Sequence, residues 1–287
     1  MTTDDFHTTT STAVEEANDR RRQDRRRAGG GPGRRARRHR RPGRGLRRRP
    51  RRLDGGGRHP RSDGEEPEYV ETPSGVVGRF TDEGTMDVFK MALPGLVNTD
   101  LVTGLREAGV DAVGLSGVDG GLLTGARKSA VRVVEDGKRK IRRGDHSGTI
   151  ESVNADLLET LLAAGHTPVA SPPMLADDGV AVNTDADRAA AAVAGALGAT
   201  LVVLTDVEGV YADPDDPATR IASVATPEEY EALTEAAEGF MTRKVMAVTE
   251  ALEAGATEAV VASANADSPI VAALDGGGTH VLPGAIA

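Results

Sequence analysis

Apolar and polar residues follow two different periods along the chain from about residue 65 onward. Apolar residues recur every three or four positions in Glu151–Gly165 and in the alanine-rich stretch after Asn183, which predicts helices. Short apolar runs stand between the helical patterns, and LVVLT and EAVVASA are typical of buried strands. Strands that alternate with helices predict an α/β protein, a three-layer αβα sandwich with a mostly parallel central sheet.

The ends of these segments carry residues that start and stop helices. Asp82 is a candidate N-cap for a helix, and Pro94–Gly95 predicts a break before a second helix that ends at Gly109. Two short alternating strands around Asp136–Gly137 predict a hairpin, and a further helix is expected from about Pro227. The local signals therefore support the same order of elements as the hydrophobic pattern.

Composition changes sharply in the first 61 residues, which hold 20 arginines and seven acidic residues. Residues 20–61 contain only four alanine or leucine side chains as apolar groups, so we expect residues 1–64 to be disordered. Clustered arginine neutralises phosphates, and a nucleic-acid-binding arm is one interpretation. We do not favour it, because the stretch has no lysine, tyrosine or phenylalanine among its arginines.

The arginine-rich stretch has another explanation in the genetic code. In a GC-rich gene read one nucleotide out of frame, RRRQDRRR (Arg20 to Arg27) decodes as VVVKIGGA. The same shift turns RRRPRRLD (Arg47 to Asp54) into VVVHGGS. Two separate arginine blocks thus become apolar strand sequences followed by glycines. Our hypothesis is that residues 20 to about 61 are a frameshifted translation, so that N-terminal strands of the fold are missing or disordered.

The remaining residues have the opposite charge. Residues 62–287 hold 15 basic and 37 acidic side chains, a composition suited to solubility in high salt, and we interpret the chain as halophilic. Cysteine is absent, which excludes disulfides and thiolate metal sites and suits a cytoplasmic protein. Without an apolar run of about 18 residues or an apolar signal core, we expect neither a membrane span nor secretion.

More than half of those 15 basic residues fall in a single hairpin, residues 127–143. They are Arg127, Lys128, Arg132, Lys138, Arg139, Lys140, Arg142 and Arg143. Because complementary charge steers association, such a patch on an acidic body predicts an acidic docking partner. A solvated hairpin without a partner is the alternative.

Polar residues surround the strand LVVLT at the end where open α/β sheets bind ligands. Asn183 and Asp187 lie at the start of the helix before this strand, and DVEGVY, residues 206–211, follows it. Lys244 lies near the start of a later helix, in FMTRKV. The sequence therefore predicts a ligand site formed by these three segments.

Five motifs in this part of the chain resemble the acetylglutamate kinase family of the amino acid kinase fold. They are GRFTDEGTMDVF, GLSGVDGGLL, VNTDADRAA, LTDVEGVY and GFMTRKV, in that order. The resemblance is closest to members that act on glutamate or 2-aminoadipate attached to the amino-group carrier protein LysW. The decoded VVVKIGGA and VVVHGGS match the family's first two motifs. The resemblance implies transfer of the γ-phosphoryl group of ATP, with Mg²⁺, to a side-chain carboxylate.

The resemblance also implies roles for particular residues. Lys244 matches the lysine that stabilises the transition state, and Asp187 matches the aspartate that orients the catalytic lysines. Asn183 and Arg79 match residues that bind the acceptor, the arginine through the α-carboxylate. The nucleotide-contacting loop of the family matches Asp206, Val207, Glu208, Gly209, Val210 and Tyr211. Each match has an ordinary structural alternative, such as a first-turn helix acid for Asp187.

Taken with the composition, the resemblance gives a functional hypothesis. Residues 65–170 are expected to form an acceptor lobe and residues 171–287 a nucleotide lobe, in a homo-oligomer.

The expected reaction phosphorylates 2-aminoadipate or glutamate on an acidic LysW-like carrier docked at hairpin 127–143, in lysine or arginine biosynthesis. The alternatives are a kinase of free acetylglutamate, a nucleotide-binding pseudoenzyme and a nucleic-acid-binding protein. Because the chain as written lacks the KIGG and HGG blocks, we expect impaired activity.

Overall fold

The computed structural model describes residues 69–71, 73, 77–135 and 138–287. The arginine-rich stretch, with the disorder and frameshift expected for it, lies outside these ranges. The strands are β1 (Tyr69–Glu71), β2 (Val77–Arg79), β3 (Ala112–Gly117), β4 (Leu123–Glu135), β5 (Lys138–Val153), β6 (Thr167–Ala176), β7 (Ala181–Val182), β8 (Thr200–Thr205), β9 (Ser223–Val224), β10 (Glu258–Ser263) and β11 (Thr279–Val281). The helices are α1 (Glu83–Met91), α2 (Asn98–Glu107), α3 (Ala155–Ala164), α4 (Ala186–Leu197), α5 (Pro227–Ala236), α6 (Phe240–Glu253) and α7 (Pro269–Leu274).

Local sequence signals place several helix ends where they were expected. The side chain of Asp82 caps α1 by accepting a hydrogen bond from the backbone N–H of Thr85 at 2.7 Å. Helix α3 ends at Gly165, whose φ of 93° is left-handed and favours glycine. Helix α5 begins with a capping box, in which the side chains of Thr226 and Glu229 each accept from the other's backbone N–H.

The break expected at Pro94–Gly95 was wrong, because the chain stays helical there. A π-helical segment, Ala92–Val97, joins α1 to α2. Proline cannot donate a backbone hydrogen bond and crowds the carbonyl four residues before it, and a widened turn accommodates both effects. Asn98 at the end of this segment is buried, and its side chain donates to the carbonyl of Val169 at 2.8 Å. That bond holds the start of α2 on β6.

The central layer consists of two mixed sheets. In the first, β6 pairs in parallel with β3 and β4, while β5 and β7 add antiparallel neighbours. In the second, the order is β8, β10, β11 and β9, with β8 parallel to β10. Helices pack against these strands, which confirms the predicted α/β class. Within the described ranges no helix has the length and hydrophobicity of a membrane span.

The main core lies where α4 and α6 pack under β8 and β10. Leu201, Val261 and Val248 are each at most 1% exposed in it. Small side chains let the two helices approach closely, and a Cβ built on Gly195 would lie 2.3 Å from the Cβ of Ala254. This close packing of the last turn of α4 on the end of α6 fixes how the two helices lie relative to each other.

The hairpin is much longer than the sequence pattern indicated. Strands β4 and β5 pair from Leu123 and Val153 at the base out to Glu135 and Lys138. The sequence pattern indicated only the outer part, on either side of residues 136–137, whereas the pairing continues to the base of the hairpin. The register, which brings the two long strands together, was not readable from composition.

Candidate active site

Lys244 and Asp187, the two residues predicted as catalytic, lie together. Asp187 is in the first turn of α4 and Lys244 is in the second turn of α6. The Nζ atom of Lys244 is 3.6 Å from Oδ2 of Asp187, and the side chains are 12% and 15% exposed. The packing of α4 on α6 thus brings a cation and a carboxylate into contact at a mostly buried position. Their catalytic roles stay predictions.

The environment of Asp187 disfavours its charge. Burial raises the pKa of this carboxyl group, and the lowering effect of Lys244 opposes that only in part. Its Oδ1 atom is buried and has no hydrogen-bond partner among the described residues. A buried acceptor without a donor destabilises a fold, so this oxygen has unused capacity for a further N–H or cationic group.

Asn183 holds two parts of the predicted acceptor site together. Its backbone N–H donates to the carbonyl of His146 at 2.7 Å, and its carbonyl accepts from the N–H of Gly148 at 2.8 Å. Its side-chain amide donates to the hydroxyl of Thr81 at 3.5 Å. Thr81 stands two residues after Arg79, which ends β2, so the two predicted acceptor-binding segments converge. The side chain of Arg79 lies outside the described part of the structure.

A groove with a volume of about 670 Å³ opens beside Asn183. Residues 147–153 of β5 form one wall, α4 forms the other, and the end of α6 contributes Glu250. Arg188 of α4 also lines it and donates from Nε to both carboxylate oxygens of Glu250 at 2.9 Å. The volume is in the range of small-molecule sites, so Asn183 lines a cavity large enough for a ligand, whereas Asp187 and Lys244 do not line it.

The predicted nucleotide loop, residues 206–211, leaves the carboxyl end of β8. The carbonyl of Asp206 accepts from the side-chain amide of Asn265 at 3.2 Å. The backbone N–H of Val210 donates to the hydroxyl of Thr279 at 2.9 Å. The loop is therefore held by residues that follow β10 and begin β11, at the edge where α/β sheets bind ligands. Its contact with nucleotide stays a prediction.

A resident metal ion is normally held by several side-chain donors that lie close together. In the described part of the chain, no three histidine, aspartate or glutamate side chains are grouped so that they could hold a metal ion. Mg²⁺ in kinases is bound by one or two carboxylates together with the phosphates of the substrate. A Mg²⁺ ion held in this way does not require a cluster of three such side chains.

Hairpin 127–143 exposes most of its basic residues to solvent. The exposed ones are Lys128, Arg132, Lys138, Arg139, Lys140 and Arg143. Between them, Ile141 is 68% exposed. An apolar side chain among cations gives this surface the mixed character of a protein-binding site.

Two arginines of the hairpin point inward instead. Arg127 lies 3.4 Å from the carboxylate of Asp178, and its Nη2 lies 3.1 Å from Nε2 of His146. The guanidinium of Arg142 stacks over the ring of Phe80, 4.4 Å from its centroid. These contacts connect the hairpin to Phe80, which precedes Thr81, and to His146, whose backbone bonds Asn183.

The sequence interpretation missed the segment Gly144–Gly148, which lies between the hairpin and the predicted acceptor residues. Asp145 is only 4% exposed and accepts a hydrogen bond from the hydroxyl of Ser147. The backbone of His146 bonds both Thr81 and Asn183. Polar residues between two glycines were a visible signal, but their partners lie far along the chain and no periodicity reveals them.

Comparison with known proteins supports the kinase assignment. Residues 28–263 match the Amino acid kinase family. LysW-aminoadipate kinase from Thermus thermophilus is 44% identical over 223 residues, which cover 76% of this chain and 82% of the relative. Acetylglutamate kinase from Methanopyrus kandleri is 47% identical over 201 residues, or 69% of this chain and 77% of the relative.

A solved structure shows the same fold. N-acetylglutamate synthase from Neisseria gonorrhoeae, complexed with coenzyme A and N-acetyl-glutamate, superposes with a TM-score of 0.59 at 26% identity. The match covers 76% of this chain but only 47% of that protein. The fold predicted from the sequence is thereby confirmed.

The family match includes the motifs from GRFTDEGTMDVF to GFMTRKV that carry the sequence resemblance. The curated relatives are kinases above 30% identity, and the chain spans more than two thirds of each. The chain therefore belongs to the amino acid kinase family, and it is a phosphotransferase with a carboxyl group as acceptor.

Proposed function

We propose that this protein transfers the γ-phosphoryl group of ATP to the side-chain carboxylate of 2-aminoadipate or glutamate, held on a small acidic carrier protein like LysW. This reaction belongs to lysine or arginine biosynthesis. The contact between Lys244 and Asp187, a cation and a carboxylate on two packed helices, is the structural observation that carries the proposal. The names of similar proteins, LysW-aminoadipate kinase among them, support the choice of acceptor.

The chemistry brings two anions together, so the protein must position them and neutralise charge. In the proposal, Lys244 stabilises the transferring phosphoryl group and Asp187 holds that lysine in place. Asn183 and Arg79 bind the acceptor, and residues 206–211 bind the nucleotide. Mg²⁺ bound to the phosphates would further neutralise their charge.

The carrier docks on hairpin 127–143 in this proposal. The exposed cations complement an acidic protein, and exposed Ile141 adds apolar contact. Strand β5 runs from these residues to His146, whose backbone bonds Thr81 and Asn183. A carrier held at the tip would therefore be connected through β5 to Asn183, whereas free acetylglutamate needs no such surface.

We also propose that the chain as written has little or no activity, because KIGG and HGG are absent from it. The match to the Thermus thermophilus relative covers 82% of that kinase, so part of it lies outside the alignment. The frameshift hypothesis for residues 20 to about 61 would account for unmatched N-terminal residues. Resequencing the gene is the direct test, since the shifted frame must spell both blocks.

The functional test compares the chain as written with a frame-restored version. Each is assayed with ATP and either carrier-linked aminoadipate, carrier-linked glutamate or free N-acetylglutamate. We expect turnover by the restored chain with a carrier-linked acceptor only. Turnover with free N-acetylglutamate alone would instead support the second candidate, an acetylglutamate kinase, which the 47% identity to the Methanopyrus kandleri enzyme favours. Equal activity of the two chains would reject the impairment.

The same proposal places the protein in the cytoplasm of a halophile, on the strength of the acidic body and the absence of cysteine. It also includes a homo-oligomer. Exposed apolar residues follow the helices from α1 to α2, namely Val88, Met91, Leu96 and Val97. Such a patch is typical of a protein–protein contact. Analytical ultracentrifugation, in molar KCl and without it, measures the oligomeric state at each salt concentration. A monomer would contradict the homo-oligomer, and equal stability without salt would contradict the halophilic origin.

A further inference from the structure

His146 forms hydrogen bonds with three parts of the chain that lie far apart in the sequence. Its backbone N–H donates to the carbonyl of Thr81 at 2.7 Å, and its carbonyl accepts from the N–H of Asn183 at 2.7 Å. Its ring nitrogen Nε2 lies 3.1 Å from Nη2 of Arg127, on the hairpin. The two predicted acceptor segments and the hairpin therefore meet at one residue.

The contacts of the imidazole determine which ring nitrogen carries the proton. Arginine keeps its charge in proteins and its guanidinium can only donate, so Nε2 of His146 must accept from Arg127. A neutral imidazole has one N–H group, which is then at Nδ1. Nδ1 lies 3.1 Å from the carbonyl of Gly144, a group that can only accept. Both contacts thus require the same form of the ring, neutral and with an Nδ1–H group.

The residues on either side of His146 fix the same stretch of backbone. Asp145 is 4% exposed, and its carboxylate accepts from the hydroxyl of Ser147. Gly148 donates its N–H to the carbonyl of Asn183 at 2.8 Å. Since His146 and Gly148 bond the two sides of the same residue, this part of β5 sets the position of the Asn183 backbone.

The guanidinium of Arg127 depends on His146 as a hydrogen-bond acceptor. Arg127 also lies 3.4 Å from the carboxylate of Asp178, but that carboxylate is 51% exposed. Ion pairs at such exposed positions contribute little to stability. The Nε atom of Arg127 is buried and has no hydrogen-bond partner in the part of the chain that the structure describes. The bond to Nε2 of His146 therefore offsets much of the cost of burying this side chain.

We propose that His146 is a positioning residue for the acceptor, and that Arg127 keeps its ring neutral with the proton on Nδ1. This inference rests on the proposed function, in which Asn183 binds the acceptor and the hairpin docks its carrier. His146 acts through the backbones of Thr81 and Asn183, which it holds at a fixed separation. A displaced binding group weakens ground state and transition state alike, so loss of the Arg127–His146 bond should raise KM more than it lowers kcat.

The position of the proton can be measured without a catalytic assay. The two neutral forms of histidine differ in their ring nitrogen chemical shifts, which long-range proton–nitrogen NMR spectra of the full chain resolve. The chain has six histidines, and the signal of His146 is the one that His146→Gln removes. We expect an Nδ1–H ring at neutral pH, and loss of this preference in Arg127→Met. An Nε2–H ring or a doubly protonated ring in the parent would overturn the proposal.

Kinetics of the frame-restored chain test the positioning role. His146→Phe has a ring but no acceptor, and should raise the KM for carrier-linked acceptor about tenfold, with kcat and the KM for ATP changed by less than about threefold. Arg127→Met should do the same, and the double variant should be no worse than either single one. His146→Gln is the rescue, because its side-chain carbonyl can accept from Arg127. Asp178→Asn is the matched control, since it removes only the ion-pair partner of Arg127.

Several outcomes would overturn the inference and leave the proposed function standing. They are a parental KM in His146→Phe, equal losses in the Phe and Gln variants, or a loss in Asp178→Asn as large as in Arg127→Met. Carrier protein without a bound amino acid should bind all variants equally in calorimetry, and weaker binding to Arg127→Met would assign this arginine to docking instead. No turnover by the restored chain with any acceptor would reject the proposed function. The NMR measurement, made on the restored chain where the chain as written does not fold, would still decide the form of His146.

Discussion

The two carboxylate oxygens of Asp187 have different surroundings: Oδ2 lies 3.6 Å from Nζ of Lys244, and Oδ1 is buried without a donor among the residues that the structure describes. The structure holds this half-satisfied group with two tightly packed helices, α4 and α6. Desolvated charge pairs of this kind are common at catalytic sites, because they are held ready for a charged reactant.

Replacement of the lysine tests the catalytic role. In the frame-restored chain, Lys244→Met should lower kcat about 100- to 1,000-fold, as when one preorganised donor to the transition state is removed. The KM for ATP should change much less. Steady-state assays with carrier-linked acceptor measure both. Lys90→Met is the control, since Lys90 is an exposed lysine of α1 paired with Asp87; equal losses in the two variants would contradict the assignment.

The raised pKa of Asp187 predicts the pH dependence of stability. A carboxyl group whose folded-state pKa exceeds its unfolded value destabilises the fold when ionised, and the penalty vanishes below the unfolded pKa. Asp187→Asn should therefore raise the free energy of unfolding most at neutral pH. This gain over the parent should decline as pH falls through the raised pKa toward about 4. Denaturant unfolding across this range measures the difference.

Asp111 provides a control of opposite sign. Its hydrogen bond from Arg106 lowers the pKa of this exposed carboxyl group, so its ionised form stabilises the fold above the unfolded pKa. Asp111→Asn should thus lose stability at neutral pH, and the loss should fade in acid. The same trend with pH for both variants would contradict the raised pKa of Asp187.

Charge reversal at the hairpin tip tests carrier docking. The triple variant Lys138→Glu, Arg139→Glu and Lys140→Glu should weaken carrier binding by about 100-fold or more at low salt, because like charges now face an acidic partner. ATP binding should be intact. Calorimetry with each ligand measures the two affinities. Arg106→Glu, a reversal on exposed α2, is the control; an unchanged carrier affinity in the triple variant would count against docking.

Two glycines in helices should respond oppositely to the same substitution. Gly195→Ala places a methyl group against Ala254 where α4 meets α6, and should destabilise the fold by about 1–3 kcal/mol. Gly104→Ala on α2 meets no atom within 4 Å and should stabilise it by about 0.5–1 kcal/mol. Thermal or denaturant unfolding measures both. Similar effects of the two substitutions would mean that α4 and α6 are less tightly packed than described.

The features that could be predicted from the sequence are those set by local interactions. The cap at Asp82, the stop at Gly165 and the order of strands and helices depend on residues within about one turn or on periodicity. It was wrong at Pro94–Gly95, since a buried Asn98 and a widened turn keep the chain helical where proline alone indicates a break. Tertiary contacts there outweighed local propensity.

By itself, the sequence determined the α/β class, the family and the residues to examine, because periodicity, caps and ordered motifs are properties of neighbouring positions. Only the tertiary structure decided that Asp187 meets Lys244, that His146 joins Thr81 to Asn183, and that β6 and β8 lie in separate sheets. Each of these depends on distant segments buried against one another. Such contacts are set by packing and by the pairing of buried polar groups, which no local pattern contains.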